Sequence, residues 1–290
     1  MPRRTGRLPG LKVRDKRERW RAAAPKRLLW RASAAAPGVV GRFERLLSSA
    51  AGTSPAQKLT FFIPFPVAER ALGDAAIIDA DPARIVRWVL SEAKGEDGIQ
   101  SPRDYFLIDG PMRALIQALD NSRLDREVSE FVACEGNYRS TRVYRRLMRR
   151  MKKPHIMWHN GMPLRSADDV EAYCRHHLML IESIRQHGVV RRSELERIGK
   201  SAGRLTANSA ALERAETDAG VAIGTRGRLY RYRGGFHRTA AARKLGLRSM
   251  PVQVKLVHLE WLREMIKQTG LPPREAMVEG FKRFSVRAGT

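Results

Sequence analysis

The chain has 290 residues, of which 43% are hydrophobic, and its 55 Lys and Arg against 30 Asp and Glu give a net charge of +25. That apolar fraction excludes a wholly unfolded chain, and the length suits one large or two modest domains. Cys134 and Cys174 are the only cysteines, which excludes a disulfide framework, and no run of roughly 18 apolar residues could span a membrane.

Residues 1–35 are basic and poor in apolar periodicity, and they read as a flexible arm with a short helical tendency around "KVRDKRERWRAAA". Residues 1–50 alone carry 14 Lys and Arg against three acids. Arg31 interrupts the one apolar run there, so no export signal is read and a cytoplasmic, reducing location is expected.

Residues 36–165 read as a mainly helical region. A short helical pattern runs from Val39 to Leu47, and "KLTFFIPFPV" reads as an edge strand because Pro64 and Pro66 forbid a long helix. "DADPARIVRWVLSEAKG" has Asp81 as a cap and Pro82 behind it, which predicts a helix ending at Gly95. "DGPMRALIQALDN" predicts a second helix of the same design.

Residues 139–153 hold eight basic residues and no acid. On a helix, Arg142, Arg145, Arg146, Arg149, Arg150 and Lys153 form one stripe, with Val143, Leu147 and Met151 on another face. Six cations on one stripe repel each other, so DNA or another polyanion is the expected partner, against a solvated face neutralised by acids elsewhere. His155 and His159 share a zinc-like i, i+4 spacing, but Pro154 and Gly161 leave little helix, so no metal site is read.

Residues 166–290 form the second predicted unit. Ser166 and Asp169 make a capping-box variant, and Val170, Tyr173, Leu178, Ile181 and Ile184 form the buried stripe of a helix ended by Gly188. His176 and His177 place one imidazole towards the core and one outwards. The two cysteines read as buried, inert thiols.

After a mixed connector, "VAIG" and "LYRY" predict a hairpin, "SMPVQVKLV" a further strand, and "LEWLREMIKQTG" a closing helix. The expected fold class is therefore α+β. Residues 226–248 again hold eight basic residues and no acid. The three basic segments together exceed the charge of the whole chain, so the remainder is slightly acidic.

Between hairpin and strand lies "YRGGFHRTAAARKLGL". Gly234 and Gly235 let the backbone bend and approach a ligand, and the following helix offers unpaired N–H groups and a positive dipole end. His237 and Arg238 add donors, and Thr239 adds a hydroxyl or merely caps the helix. The segment reads as a phosphate cradle, against a plain strand-to-helix turn that uses glycine for geometry alone.

"YRGGFHRTAAARKLGLRSMPVQV", with the upstream "IESIRQHGVV" and the hairpin, resembles the ParB/sulfiredoxin-like superfamily over residues 170–261. The resemblance implies a compact mixed-sheet domain with a nucleotide-phosphate pocket, in which Gly235, His237 and Arg238 contact phosphates. It implies CTP, as in ParB proteins, or ATP, as in sulfiredoxins and free-serine kinases, with the requirement for Mg²⁺ open. Glu182 is the nearest acid in a family-like element.

The departures are specific. Phe236 stands where sulfiredoxins carry their reactive cysteine, which excludes that chemistry. Phe-His-Arg replaces the Glu-Arg-Arg of ParB proteins, and Arg233 or Gly234 replaces an aspartate of other members. Three functions compete: a nucleotide-binding, DNA-associated ParB-like protein, a kinase-like phosphotransferase, and a scaffold module whose pocket has degenerated. The oligomeric state is not read from the sequence.

Overall fold

The computed structural model describes residues 32, 34–90, 93–95, 98–100, 102–119, 122–151, 157–160, 162–191, 194 and 218–286. Nearly all of the basic arm, Lys153, His155 and most of the connector at 192–217 lie outside the described residues.

The fold is α+β, organised on one mixed eight-stranded sheet. Its spine is β12 (Met250–His258), a nine-residue strand buried on nearly every residue. Both faces are covered, so even its polar residues Gln253, Lys255 and His258 are buried. One edge of β12 takes β10 (Gly220–Ile223) in parallel. The other takes β6 (Tyr105–Asp109) in parallel near its end and β2 (Ile77–Ala80) antiparallel near its start. β1 (Thr60–Pro64) pairs with β6 at the sheet's edge, where its proline is tolerated.

The hairpin partner β11 (Leu229–Arg231) lies beyond β10 and is followed by β3 (Arg87–Val89) and β7 (Ile116–Ala118). The three strands from after residue 165 lie together in this sheet and are flanked on both sides by strands from before it. Two further ribbons, β4 (Ala93–Gly95) with β5 (Gly98–Gln100) and β8 (Met157–His159) with β9 (Met162–Leu164), lie off this sheet.

Two predicted helices are corrected. Asp81 does cap a turn, accepting from Ala83 N at 2.8 Å, but the turn stops at Arg84 and β3 follows. The segment 109–121 likewise makes one short turn, Met112–Leu115, before β7. The two strands pair with each other, with Trp88 opposite Gln117. Branched and aromatic residues at Val86, Trp88, Val89 and Ile116 suit that ribbon better than a helix.

The helices cover the sheet: α1 (Val39–Ala51), α2 (Phe65–Leu72), α3 (Arg123–Ala133), α4 (Arg142–Met151), α5 (Ala167–His187), α6 (Phe236–Lys244), α7 (Leu259–Thr269) and α8 (Pro273–Lys282). α2 begins directly after Pro64, with Pro66 in its first turn. In α5, Ser166 Oγ accepts from Asp169 N and Asp169 accepts from Arg165 N, as its capping pattern predicts. α8 opens at Pro273, shortly after the Gly270 that caps α7. Among the described residues no helix is long and apolar enough to cross a membrane.

Asp109, only 3% exposed, joins three of these pieces. Its carboxylate accepts from Ala56 N at 3.2 Å, Gly110 N at 2.8 Å and Arg263 at 3.1 Å. Arg263 also donates to Ala51 O and Thr53 O, which satisfies carbonyls at the end of α1. Asp109→Ala should leave a half-buried guanidinium and two N–H groups without this acceptor. The expected loss is about 3 kcal/mol, read as a lower urea midpoint at unchanged slope.

Candidate functional site

The turn into α6 is built from three successive left-handed residues, Arg233 (φ 46°), Gly234 (φ 76°) and Gly235 (φ 61°). Glycine adopts this region freely, whereas Arg233 does so at a cost that the surroundings must offset. Gly235 is the N-cap of α6 and provides no side-chain cap. A Cβ at Gly235 would come within 2.4 Å of the Ala219 Cβ, so the turn is pressed against the start of β10.

Several cations sit around this turn. Lys255 on β12, 1% exposed, donates from Nζ to Asp218 O at 2.7 Å and reaches Arg233 O at 3.4 Å. Burial, reinforced by the nearby Arg233, lowers its ammonium to about 7. Arg233 donates to Arg103 O and stacks over Phe65. Arg231, 4% exposed, lies 4.3 Å from the Phe236 ring centre and 5.5 Å from that of Trp88. Burial lowers its guanidinium to about 10, so it stays charged at neutral pH. Phe236 therefore covers a buried cation.

The candidate phosphate residues separate into two groups. Gly234 and Gly235 shape the turn, and Arg238 is half-buried in the first turn of α6. Of the two readings of Thr239, the structure has the local one: it is 2% exposed and its hydroxyl donates to Gly235 O at 3.0 Å, at the start of its own helix. The His237 ring also turns inward, stacking on His177 at 4.3 Å with Nε2 3.4 Å from Asn160 Nδ2. Glu182 is exposed on the solvent face of α5 and bonded to Arg185 and Gln186.

The basic stripe is narrower than its spacing predicts. Arg142, Arg145, Arg149 and Arg150 are exposed, and Arg145 donates to Ser140 O and Thr141 O. Arg146 instead reaches inward to Glu127 at 3.3 Å.

That contact leads to a buried polar network which sequence reasoning missed. Glu127 on α3 is 1% exposed. Tyr173 of α5 donates to its Oε1, as do His159 Nε2 at 2.9 Å and Asn160 Nδ2 at 3.3 Å. Arg123 donates to His159 Nδ1, so Nε2 is the ring's N–H and the tautomer is fixed. Burial alone would raise the Glu127 carboxyl, but the bonds from His159 and Tyr173 bring it below its ordinary value. Asn160, in a left-handed turn between β8 and β9, links Tyr173 to His237.

One signal for this network was present: Glu127 interrupts the apolar stripe Leu124, Val128 and Phe131 on α3. His177 likewise sits between Tyr173 and Ile181 on the buried face of α5. Cys174 is buried as expected, and burial raises its thiol to about 12, whereas Cys134 is only half-buried, with its thiol raised by desolvation too. Among the described residues no group of three or more His, Cys, Asp or Glu is arranged to hold a metal ion.

Comparison with family models, characterised proteins and solved structures returned no match.

Burial lowers the His237 imidazole from 6.5 to about 4, and it holds His177 well below its ordinary value too. The unfolded chain therefore takes up protons that the folded protein refuses, and stability should fall as pH drops from 6.5 towards 4. Thermal unfolding across that range should show a shallower decline in His237→Gln, with the remainder attributable to His177.

Proposed function

We propose that this protein is ParB/sulfiredoxin-like and binds a phosphate-bearing ligand, a nucleotide first, at the turn from Arg233 to Arg238. The observation that carries this reading is the uncapped N-terminus of α6 behind three consecutive left-handed residues. Such a turn presents successive backbone N–H groups to an anion, and the helix dipole adds to the attraction. Arg238 supplies a guanidinium in the same turn. His237 contributes its backbone N–H, because its ring is engaged within the fold, and Thr239 contributes packing alone, since its N–H and its hydroxyl both donate to Gly235 O.

CTP and ATP are the two candidate ligands, with Mg²⁺ as a variable to be tested. A DNA or other polyanion contact along α4 accompanies this site, supported by the exposed Arg142, Arg149 and Arg150. Among the described residues these three make no ion pair with an acid, unlike Arg146. The reading is one of binding; a kinase-like transfer would need an acid near the phosphates, and Glu182 does not supply it.

Titration with CTP, ATP and GTP, with and without Mg²⁺, tests the turn directly. A ligand at a hundred times its Kd should stabilise the fold by about 2.7 kcal/mol, and Arg238→Ala should remove most of that rise in unfolding temperature. A wild-type protein that no nucleotide stabilises would remove the nucleotide from the reading.

A further inference from the structure

The hairpin β10–β11 and the turn before β3 enclose a second basic feature, at the opposite end of β11 from the glycine turn. A groove of about 330 Å³ is lined by Arg84, Arg87, Arg226 and Arg228, together with Val86 and Tyr230. No acid lines it. All four arginines are exposed, and among the described residues none of them makes an ion pair or a side-chain hydrogen bond. Gly227, with φ 69°, allows the tight hairpin end that sets Arg226 and Arg228 on either side of it.

We propose that this groove binds the phosphodiester backbone of a nucleic-acid strand. Four guanidiniums around one groove repel each other, and a ligand carrying several negative charges offsets that repulsion. Guanidinium forks match phosphate oxygens with paired donors. The arginines come from two chain segments and stay exposed, which suits a line of phosphates passing through better than a single enclosed anion. Val86, 44% exposed, gives the groove an apolar element against which a sugar or base can rest. A second copy of this chain, itself at +25, is electrostatically the wrong occupant.

The proposal extends the nucleic-acid part of the reading above, but it requires neither the glycine turn nor α4. It also uses residues from the segment misread as a helix, because β3 carries Arg87 beside β11 only once its strand pairing forms.

The test is fluorescence anisotropy of the full chain with a labelled oligonucleotide of about 20 nucleotides, single-stranded and duplex, over a salt series. Three variants are compared with wild type: R84A/R87A, R226A/R228A and, on α4, R142A/R149A/R150A. Each groove variant should weaken binding severalfold and make the plot of log affinity against log salt shallower by about 1.5, with their combination near 3. Unfolding temperature and nucleotide response should stay at wild-type values, since the substituted side chains are exposed and lie outside the glycine turn.

Wild-type affinity and slope in both groove variants would overturn the proposal, and loss in the α4 variant alone would place the contact there. A wild type that binds neither oligonucleotide overturns the groove and the α4 reading together, while leaving the nucleotide experiment unaffected. Equal loss for an acidic peptide of matched charge would also overturn it, since the groove would then be an unselective anion surface.

Discussion

Glu127 is the point at which the helical layer of this protein is tied together. Its buried carboxylate takes bonds from α4 through Arg146, from β8 through His159, from the β8–β9 turn through Asn160 and from α5 through Tyr173. A buried carboxylate without such donors would be far too costly to keep ionised, and here four groups from four elements supply them. The same Asn160 touches His237, so the first turn of α6 inherits its orientation from this network. The candidate phosphate turn is consequently positioned from two sides: Lys255 and Ala219 hold its backbone against the sheet, and the Glu127 network holds the helix that follows.

Much of the C-terminal half was legible because its signals are local. The hairpin, the strand at 250–258 and the helices at 167–187 and 259–269 each follow from periodicity, capping and glycine placement within a few residues. The segments at 81–95 and 109–121 show where that reasoning fails. Asp81 and Pro82 signalled a helix start correctly, but a start signal does not determine how far the helix propagates. The choice of strand was made by pairing between β3 and β7, residues some thirty positions apart, which no local pattern reports.

The site was legible to a lesser degree. Gly-Gly before an alanine-rich helix reported the turn, yet it could not report which side chains point outward. Thr239 and His237 face inward because α6 is buried between α3 and α5, and that packing depends on contacts distant in sequence. Glu182 failed for a simpler reason: it sits on the solvent side of α5, opposite the Tyr173–His177 face. Lys255 was missed because one lysine inside an apolar strand reads as a surface position unless both faces of that strand are known to be covered.

The disposition of charge bears on what the protein can carry. Of the acids that neutralise cations inside the fold, Asp109 on β6 pairs with Arg263, and two more lie on α3, where Asp125 pairs with Arg243 and Lys244 and Glu127 with Arg146. The α3 pairs hold α6 and α4 to α3, so these interior acids are committed to packing. Among the described residues the groove arginines and Arg142, Arg149 and Arg150 pair with no acid and are left to water and salt, which screen them incompletely at short range. A chain at +25 that engages its interior acids in this way keeps a self-repelling surface, and any polyanion that bridges that surface gains binding energy from relieving the repulsion as well as from its direct contacts.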